Sequence, residues 1–189
     1  MTDDGRLSIL SAALHAIEPQ SPTEAADLAA TVQVAQTGDP WSRTAALHVT
    51  GSAVVVHPRT GLVLLRWHRR QNAWLQVGGH ADPGEVDPYE VARREAIEET
   101  GLPDLKPWPG PDPEVVHLVV VAVPASGEEP DHEHADLRYV LATDRPGDAA
   151  AESQDAPLRW LTLTEARELT SEVNLRETLA RVGRLLPSR

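Results

Sequence analysis

The stretch of residues 78–102 reads GGHADPGEVDPYEVARREAIEETGL and joins a glycine-rich, acidic loop to one clearly marked helix. Asp87 suits the N-cap position, and Pro88 suits the first helical position, where its missing N–H costs nothing. Glu90 stands where the acid of a capping box belongs, and Gly101 stands where a left-handed C-cap is typical. The sequence therefore predicts a helix that begins at Pro88 and ends just before Gly101.

Three glutamates crowd the last turns of this predicted helix. Glu95 lies three residues before Glu98 and four before Glu99, so the three carboxylates share one face. Like charges at such spacing cost about 0.2–0.5 kcal/mol per pair, and anions near a helix C-terminus oppose its dipole by about 0.3–1 kcal/mol each. A hard divalent cation such as Mg²⁺ converts this repulsion into ligation. The alternative interpretation is a solvated acidic helix end.

The order of glycine, glutamate, arginine and further glutamates resembles the Nudix box. In that family's pattern a Gly is followed by five residues, Glu, seven residues, Arg-Glu, an apolar residue, any residue, Glu-Glu, any residue, Gly and an apolar residue. Gly79 and Glu85 fit its first part, and residues 94–102 fit its last part throughout. The middle spacer, residues 86–93, has eight residues instead of seven. We expect the extra residue in the loop around residues 86–88, ahead of the helix.

The resemblance to Nudix hydrolases implies a fold, a reaction and a set of catalytic residues. The fold is an α/β/α sandwich with a mixed sheet, here with an N-terminal helical extension, and the reaction cleaves a nucleoside diphosphate linked to another moiety. The resemblance implies that Glu95, Glu98 and Glu99 bind Mg²⁺ or Mn²⁺. Arg94 is expected to orient a glutamate, through an ion pair with Glu85 or a bond to a loop carbonyl, because its planar fork fixes carboxylate geometry. The implied catalytic residues are Glu85, Arg94, Glu95, Glu98 and Glu99.

Further residues are candidates for contact with the substrate or for general-base catalysis. The substrate-binding candidates are Gly78, Gly79, His80, Glu133 and His134. The glycines leave backbone amides unobstructed, and His80 either reaches phosphate or is a loop histidine in water. In a strand, residues 132, 134 and 136 share one face. Three interpretations of this face are open: it lines a substrate cleft, it holds a metal with histidine and carboxylate ligands, or it is the solvated start of a strand. Carboxylates available as general base are Glu128, Glu129, Asp131, Glu133 and Asp136.

The remaining sequence predicts a two-part organisation. Two helices are predicted between residues 6 and 36, within an N-terminal extension over residues 1–43 that precedes a Nudix-like domain over residues 44–189. These helices either cover the sheet of their own chain or exchange with a second subunit, so we expect a monomer or a homodimer. Strands are expected over residues 45–57, 62–67, 73–77, 115–123, 137–143 and 157–161, and two further helices over residues 163–170 and 174–185.

Composition and charge narrow the function classes. Lys and Arg number 17 against 29 Asp and Glu, a formal net charge of −12, which disfavours a nucleic-acid polymer but permits a small nucleotide beside a bound metal. The chain has no cysteine, which excludes disulfides and thiol chemistry. No apolar run approaches the roughly 20 residues that span a bilayer and no secretory signal is visible, so we expect a cytoplasmic protein without a membrane partner. The alternative to a hydrolase is a non-catalytic, nucleotide-binding Nudix regulatory domain.

Overall fold

The computed structural model describes residues 3–125 and 130–187. The helices within these ranges are α1 (Asp3–His15), α2 (Pro22–Thr37), α3 (Pro88–Thr100), α4 (Leu163–Leu169) and α5 (Val173–Leu185). The strands are β1 (Leu47–His57), β2 (Leu62–His68), β3 (Ala73–Leu75), β4 (Val77–His80), β5 (Lys106–Pro107), β6 (His117–Val123), β7 (His132–Ala142) and β8 (Leu158–Leu161). Over the described ranges, none of these helices has both the length and the apolar character needed to cross a bilayer.

Eight strands form one mixed sheet with the order β3-β2-β1-β7-β5. The central pair, β1 and β7, runs in parallel, from Leu47 opposite Glu133 to Val56 opposite Ala142. β4 pairs with β1, β6 with β7 and β8 with β2, and all three pairings are antiparallel. The central pair therefore joins the two halves of the chain, with β4 and β6 alongside it.

Helices cover both faces of this sheet because β1 alternates its buried side chains between two apolar clusters. Val49 and Val55 belong to the cluster that includes residues of α1, α2 and α3. Val54 and Val56 belong to the cluster that includes residues of α4 and α5. The arrangement is an α/β/α sandwich around a mixed sheet, which confirms the predicted fold class.

The two N-terminal helices pack on the sheet of their own chain. Leu10 and Leu14 are buried in the same apolar cluster as β1. Ser21 caps α2 by accepting a hydrogen bond from the backbone N–H of Glu24, as predicted. The Glu24 carboxylate, in a residue that is 2% exposed, pairs with Arg181 of α5 at 2.8 Å. The division between residues 43 and 44 stays a prediction, although these contacts show that α2 shares a buried ion pair with the sandwich.

The strands differ from the predicted ones at several places. β5, at residues 106–107, lies in a segment where no strand is expected, and two other differences concern the site. Gly78 and Gly79, expected in a loop, lie in β4, because their backbone pairs with Ser52 and Gly51 of β1. β7 begins at His132 instead of residue 137, because its first residues pair with both β1 and β6. Both differences arise from pairing between distant segments, which local sequence preference does not contain.

Candidate active site

Helix α3 lies directly on β1, and capping residues define both of its ends. The side chain of Asp87 accepts a hydrogen bond from the backbone N–H of Tyr89 at 2.9 Å, and Gly101 adopts the left-handed conformation with φ 68°. Gly51 of β1 permits the close approach, since a Cβ there would lie 2.9 Å from the backbone nitrogen of Ala92. The helix has the predicted bounds and is regular throughout, so the extra spacer residue lies in the loop ahead of it.

Arg94 connects the loop before α3 to the glutamates of the helix. Its Nε and Nη2 donate to the two carboxylate oxygens of Glu85 at 2.8 and 3.0 Å. Nη2 also donates to the carbonyl oxygen of His80 at 2.8 Å. Nη1 donates to Glu95 Oε1 and to Glu98 Oε2, both at 3.0 Å. The expected ion pair of Arg94 with Glu85 is therefore present, and the carbonyl that Arg94 also contacts lies at the end of β4 instead of in a loop.

Two of the helical glutamates lie against the glycines of β4. The backbone N–H of Gly78 donates to Glu99 Oε2 at 3.1 Å, and Arg66 Nη1 lies 3.1 Å from Glu99 Oε1. A Cβ on Gly79 would lie only 2.7 Å from Cδ of Glu95. Glycine at position 79 is therefore required for the observed approach of the Glu95 carboxylate.

The local environment shifts the pKa values of these carboxyl groups in opposite directions. Hydrogen bonds from Arg94 hold the pKa of Glu85 below its usual range. Burial raises the pKa of Glu95, and burial raises the pKa of Glu99 to about 7 although Arg66 opposes the shift. The fold thus places two carboxylates where their negative charge is costly and where a cation would stabilise it.

The donor set fits a hard divalent cation. Mg²⁺ and Mn²⁺ prefer oxygen ligands, and Glu95, Glu98 and Glu99 contribute three carboxylates from adjacent turns. The missing side chain of Gly79 leaves room at Glu95, while Glu98, with 56% of its side chain exposed, is open to solvent. These residues therefore have the ligand chemistry expected of a Mg²⁺ or Mn²⁺ site, and their role as ligands stays a prediction.

A cleft of about 390 Å³ runs along β4. It lies on the face of β1 that carries Thr50 and Ser52, whereas α3 covers the face that carries Gly51. Its lining includes four of the five predicted substrate-binding residues together with three arginines. The residues concerned are Gly78, Gly79, His80, His134, Arg43, Arg70 and Arg138.

Asp136 also lines this cleft, where four donors orient its carboxylate. Thr50 Oγ1 donates to one oxygen at 3.1 Å. The other oxygen accepts from Ser52 Oγ at 2.9 Å, from Gln76 Nε2 at 3.3 Å and from Arg138 Nε at 2.8 Å. Among the candidate general bases, Asp136 is therefore placed in the cleft with a fixed orientation.

Strand β7 separates the other predicted residues by face. His132 and His134 lie on the same face as Asp136, as the alternation of the sequence predicts. Glu133 lies on the opposite face and is exposed, so the structure does not bring it to the cleft. The candidate bases Glu128 and Glu129 lie outside the described residues.

Sequence reasoning missed two residues near the site, His48 and Arg66. His48 is 1% exposed and lies opposite His134 in the parallel pairing of β1 with β7, with 4.9 Å between the ring centroids. Burial, together with neighbouring histidines, lowers the pKa of His134 to about 3. No local pattern identifies these contacts, because they join strands that are distant in the sequence. A histidine within an apolar strand such as β1 was the one available signal.

Several solved structures are similar to this chain in fold. A C. elegans Ap4A hydrolase aligns with a TM-score of 0.54 and 19% identity, covering 70% of this chain and 93% of that chain. The E. coli dihydroneopterin triphosphate pyrophosphohydrolase aligns with a TM-score of 0.52 and 19% identity, covering 70% and 92%. A NUDIX family hydrolase from Clostridium perfringens aligns with a TM-score of 0.53 and 20% identity, covering 73% and 97%. At such identities the likeness shows the fold.

A family model described as the NUDIX domain matches residues 46–182. This range runs from the start of β1 into α5 and leaves α1 and α2 outside. A comparison with curated proteins gives no match. The family match agrees with the sandwich fold and with the glutamates gathered on α3, and we conclude that the chain belongs to the NUDIX family.

Proposed function

We propose that this chain is a metal-dependent pyrophosphohydrolase that cleaves a small nucleotide or nucleotide derivative, in which a nucleoside diphosphate is linked to another moiety. One observation carries the proposal. The glutamates of α3 lie against Gly78 and Gly79, and the same two glycines line a cleft that carries three arginines. The two glycines thus lie between the carboxylates, on the α3 face of β4, and the cleft, on the other face, so a phosphate chain that crosses them would meet both. Family membership supports the same reaction class.

Glu95, Glu98 and Glu99 would hold Mg²⁺ or Mn²⁺. When bound, such a cation neutralises charge on pyrophosphate oxygens and acidifies the attacking water. Phosphoryl transfer depends mainly on positioning and on neutralisation of developing charge. The contribution of the protein is therefore the placement of these carboxylates, which the contacts of two arginines determine.

Arg94 and Arg66 act as positioning residues. Two hydrogen bonds that Arg94 donates to Glu85 fix its guanidinium, which in turn contacts Glu95 and Glu98 of α3. Arg66 holds Glu99 at 3.1 Å and is itself anchored by Glu152 at 3.0 Å. Each arginine has a second carboxylate partner, so its orientation is set before any substrate binds.

The cleft supplies the substrate-binding part of the proposal. Gly78 and Gly79 leave this wall of the cleft without side chains, so a phosphate can approach the backbone of β4 closely, and His80 and His134 form the adjacent wall. The backbone N–H of Gly78 already donates to Glu99. Arg70 and Arg43 provide positive charge for a short polyphosphate, whereas the buried Arg138 is paired with Asp136. The volume of about 390 Å³ lies within the roughly 300–1,000 Å³ of small-molecule sites. A nucleotide-sized substrate fits these dimensions.

The experiment is turnover of a substrate panel with and without Mg²⁺. The panel contains dNTPs, ADP-ribose, nucleotide sugars and dinucleoside polyphosphates, and the release of phosphate or nucleoside monophosphate is measured. Glu98→Gln should lower kcat by about 100-fold or more, the scale of losing one group that stabilises transition-state charge. Circular dichroism should remain that of the wild type, because this side chain is largely exposed.

Glu168→Gln is the matched control, since this exposed glutamate lies on α4, away from the cleft lining. It should retain wild-type turnover. Near-normal activity of Glu98→Gln would remove the metal-binding assignment. Binding of nucleotide with Mg²⁺ but without turnover of any panel member would contradict the hydrolase proposal and support the non-catalytic regulatory domain.

A further inference from the structure

Four histidines from three strands converge at one end of the cleft. His48 comes from β1, His80 from β4, and His132 and His134 from β7. One ring nitrogen of each lies within 4.8 Å of the corresponding nitrogen of every other. Three of these separations are short. The Nε2 atoms of His80 and His48, of His80 and His134, and of His132 and His134 are each 3.1 Å apart.

Backbone carbonyls set the tautomers of two of these rings. Nδ1 of His48 lies 3.1 Å from the carbonyl oxygen of Ala45, and Nδ1 of His132 lies 2.9 Å from that of Pro130. A carbonyl oxygen only accepts, so in both neutral rings the proton is on Nδ1 and the lone pair is on Nε2. This is the usual arrangement of a metal-ligating histidine, whose other ring nitrogen donates to a carbonyl or carboxylate.

Hydrogen bonding among neutral rings cannot account for all three short contacts. His48 and His132 bring no proton on Nε2, so only His80 and His134 can supply one each. Two protons at most then serve three contacts between Nε2 atoms, and one pair of nitrogens is left without a proton between them. A single cation at the centre would use all the inward lone pairs together.

Three of the six separations between the four nitrogens also suit a tetrahedral transition-metal ion. With Zn–N bonds of 2.0–2.1 Å, ligand nitrogens lie about 3.3 Å apart, close to the three observed contacts of 3.1 Å. Imidazole nitrogen selects Zn²⁺, Ni²⁺, Cu²⁺ or Fe²⁺, whereas Mg²⁺ selects carboxylate oxygen. The histidine cluster and the glutamates of α3 therefore differ in the class of metal that they suit.

An adjacent cavity gives a path from the surface to the cluster. Its volume is about 170 Å³, and its lining includes His48, His80 and His132. Asp131 also lines it and supplies a negative charge near the cluster, while Arg43, on the same lining, faces Asp82 at 3.8 Å. The cavity therefore places an acidic side chain close to the imidazoles.

We propose that His48, His80, His132 and His134 form a second metal site, which binds one divalent transition-metal ion such as Zn²⁺ and is distinct from the carboxylate site on α3. The ion joins β1, β4 and β7 at one point. His80 also connects the two sites, because its carbonyl oxygen accepts a hydrogen bond from Arg94 at 2.8 Å. The metal therefore acts as a structural clamp on β4, the strand that carries both glycines.

The test is Zn²⁺ binding by the full chain in excess Mg²⁺, which occupies the carboxylates. After treatment with a chelator and its removal, Zn²⁺ is titrated at neutral pH against a chromophoric competitor. We expect one tightly bound Zn²⁺ per chain. Changing a ligand should weaken binding by at least about 100-fold, above the 10–100-fold effect of outer contacts. Co²⁺ in place of Zn²⁺ should give the visible absorption of a four-coordinate site.

Two histidine variants and two controls make the result decisive. His48→Ala removes the most buried ligand, and His132→Asn, at a partly exposed position, keeps the test valid if the first variant does not fold. Both should lose the bound Zn²⁺ and the rise in Tm that it causes. His15→Asn, on the exposed surface of α1, and Glu98→Gln should retain both. Equal Zn²⁺ affinity in wild type and His132→Asn, or loss of Zn²⁺ in Glu98→Gln, would overturn the proposal.

Discussion

Gly79→Ala should separate catalysis from stability in this chain. The added Cβ would lie 2.7 Å from Cδ of Glu95, and ordinary contact begins at 3.4 Å, so the carboxylate must retreat by about 0.7 Å. The obstacle is the end of a flexible side chain, so folding should persist and Tm should change by no more than about 2 °C. A misplacement near 1 Å costs about 100-fold in rate, and we expect kcat to fall by about that factor.

The measurement pairs steady-state kinetics on the substrate identified in the panel with thermal unfolding by circular dichroism. Gly110→Ala is the matched control, because a Cβ at that position meets no atom within 4 Å. The control should keep both kcat and Tm. If Gly79→Ala retained wild-type kcat, the placement of Glu95 against β4 would have no role in turnover, and the reasoning from its close contact would be refuted.

Three further predictions concern stability and metal binding. Arg181→Met removes the ion-pair partner of the buried Glu24 carboxylate. It should lower the free energy of unfolding by about 3–5 kcal/mol and Tm by ~10 °C. The control Arg184→Met changes an exposed residue of the same helix and should lower the free energy of unfolding by less than about 1 kcal/mol. Because hydrogen bonds hold the pKa of Glu24 low despite its burial, this stabilisation is present above about pH 4.5 and is lost as pH falls through the folded-state pKa. Gly51→Ala places a Cβ against the backbone of α3 and should lower the free energy of unfolding by about 1–3 kcal/mol, measured by urea denaturation. Since burial raises the pKa of Glu99 to about 7, Mg²⁺ must displace a proton there, and calorimetry should show affinity rising between about pH 6 and 8; a flat profile would contradict this.

Helix α3 could be predicted from the sequence because its determinants are local. Asp87, Pro88 and Gly101 fix the two ends within the helix and its flanking residues. The i, i+4 spacing then places Glu98 within reach of Arg94, which also contacts the adjacent Glu95. Because the residues that determine this helix all lie within it or beside it, the additional residue in the spacer leaves the helix unchanged.

The remaining parts of the site depend on contacts between distant segments. Gly78 and Gly79 form a strand only because β1 is present to pair with them, and glycine alone favours a loop. His48 meets His134 only through the parallel register of β1 and β7. Parallel pairing across such a separation leaves no periodic trace in the sequence, so the sequence predicts only the alternation of residues 132, 134 and 136 and not the cluster of four histidines.

The buried pair of Glu24 and Arg181 has a consequence for how the chain is made. The two residues are 157 positions apart, so Glu24 emerges from the ribosome long before its partner is synthesised. Until then α2 would bury an uncompensated carboxylate if it docked on the sheet, and such a state is strongly disfavoured. We therefore expect stable docking of α2 to require α5, whose arrival completes the charge pair and the sandwich together.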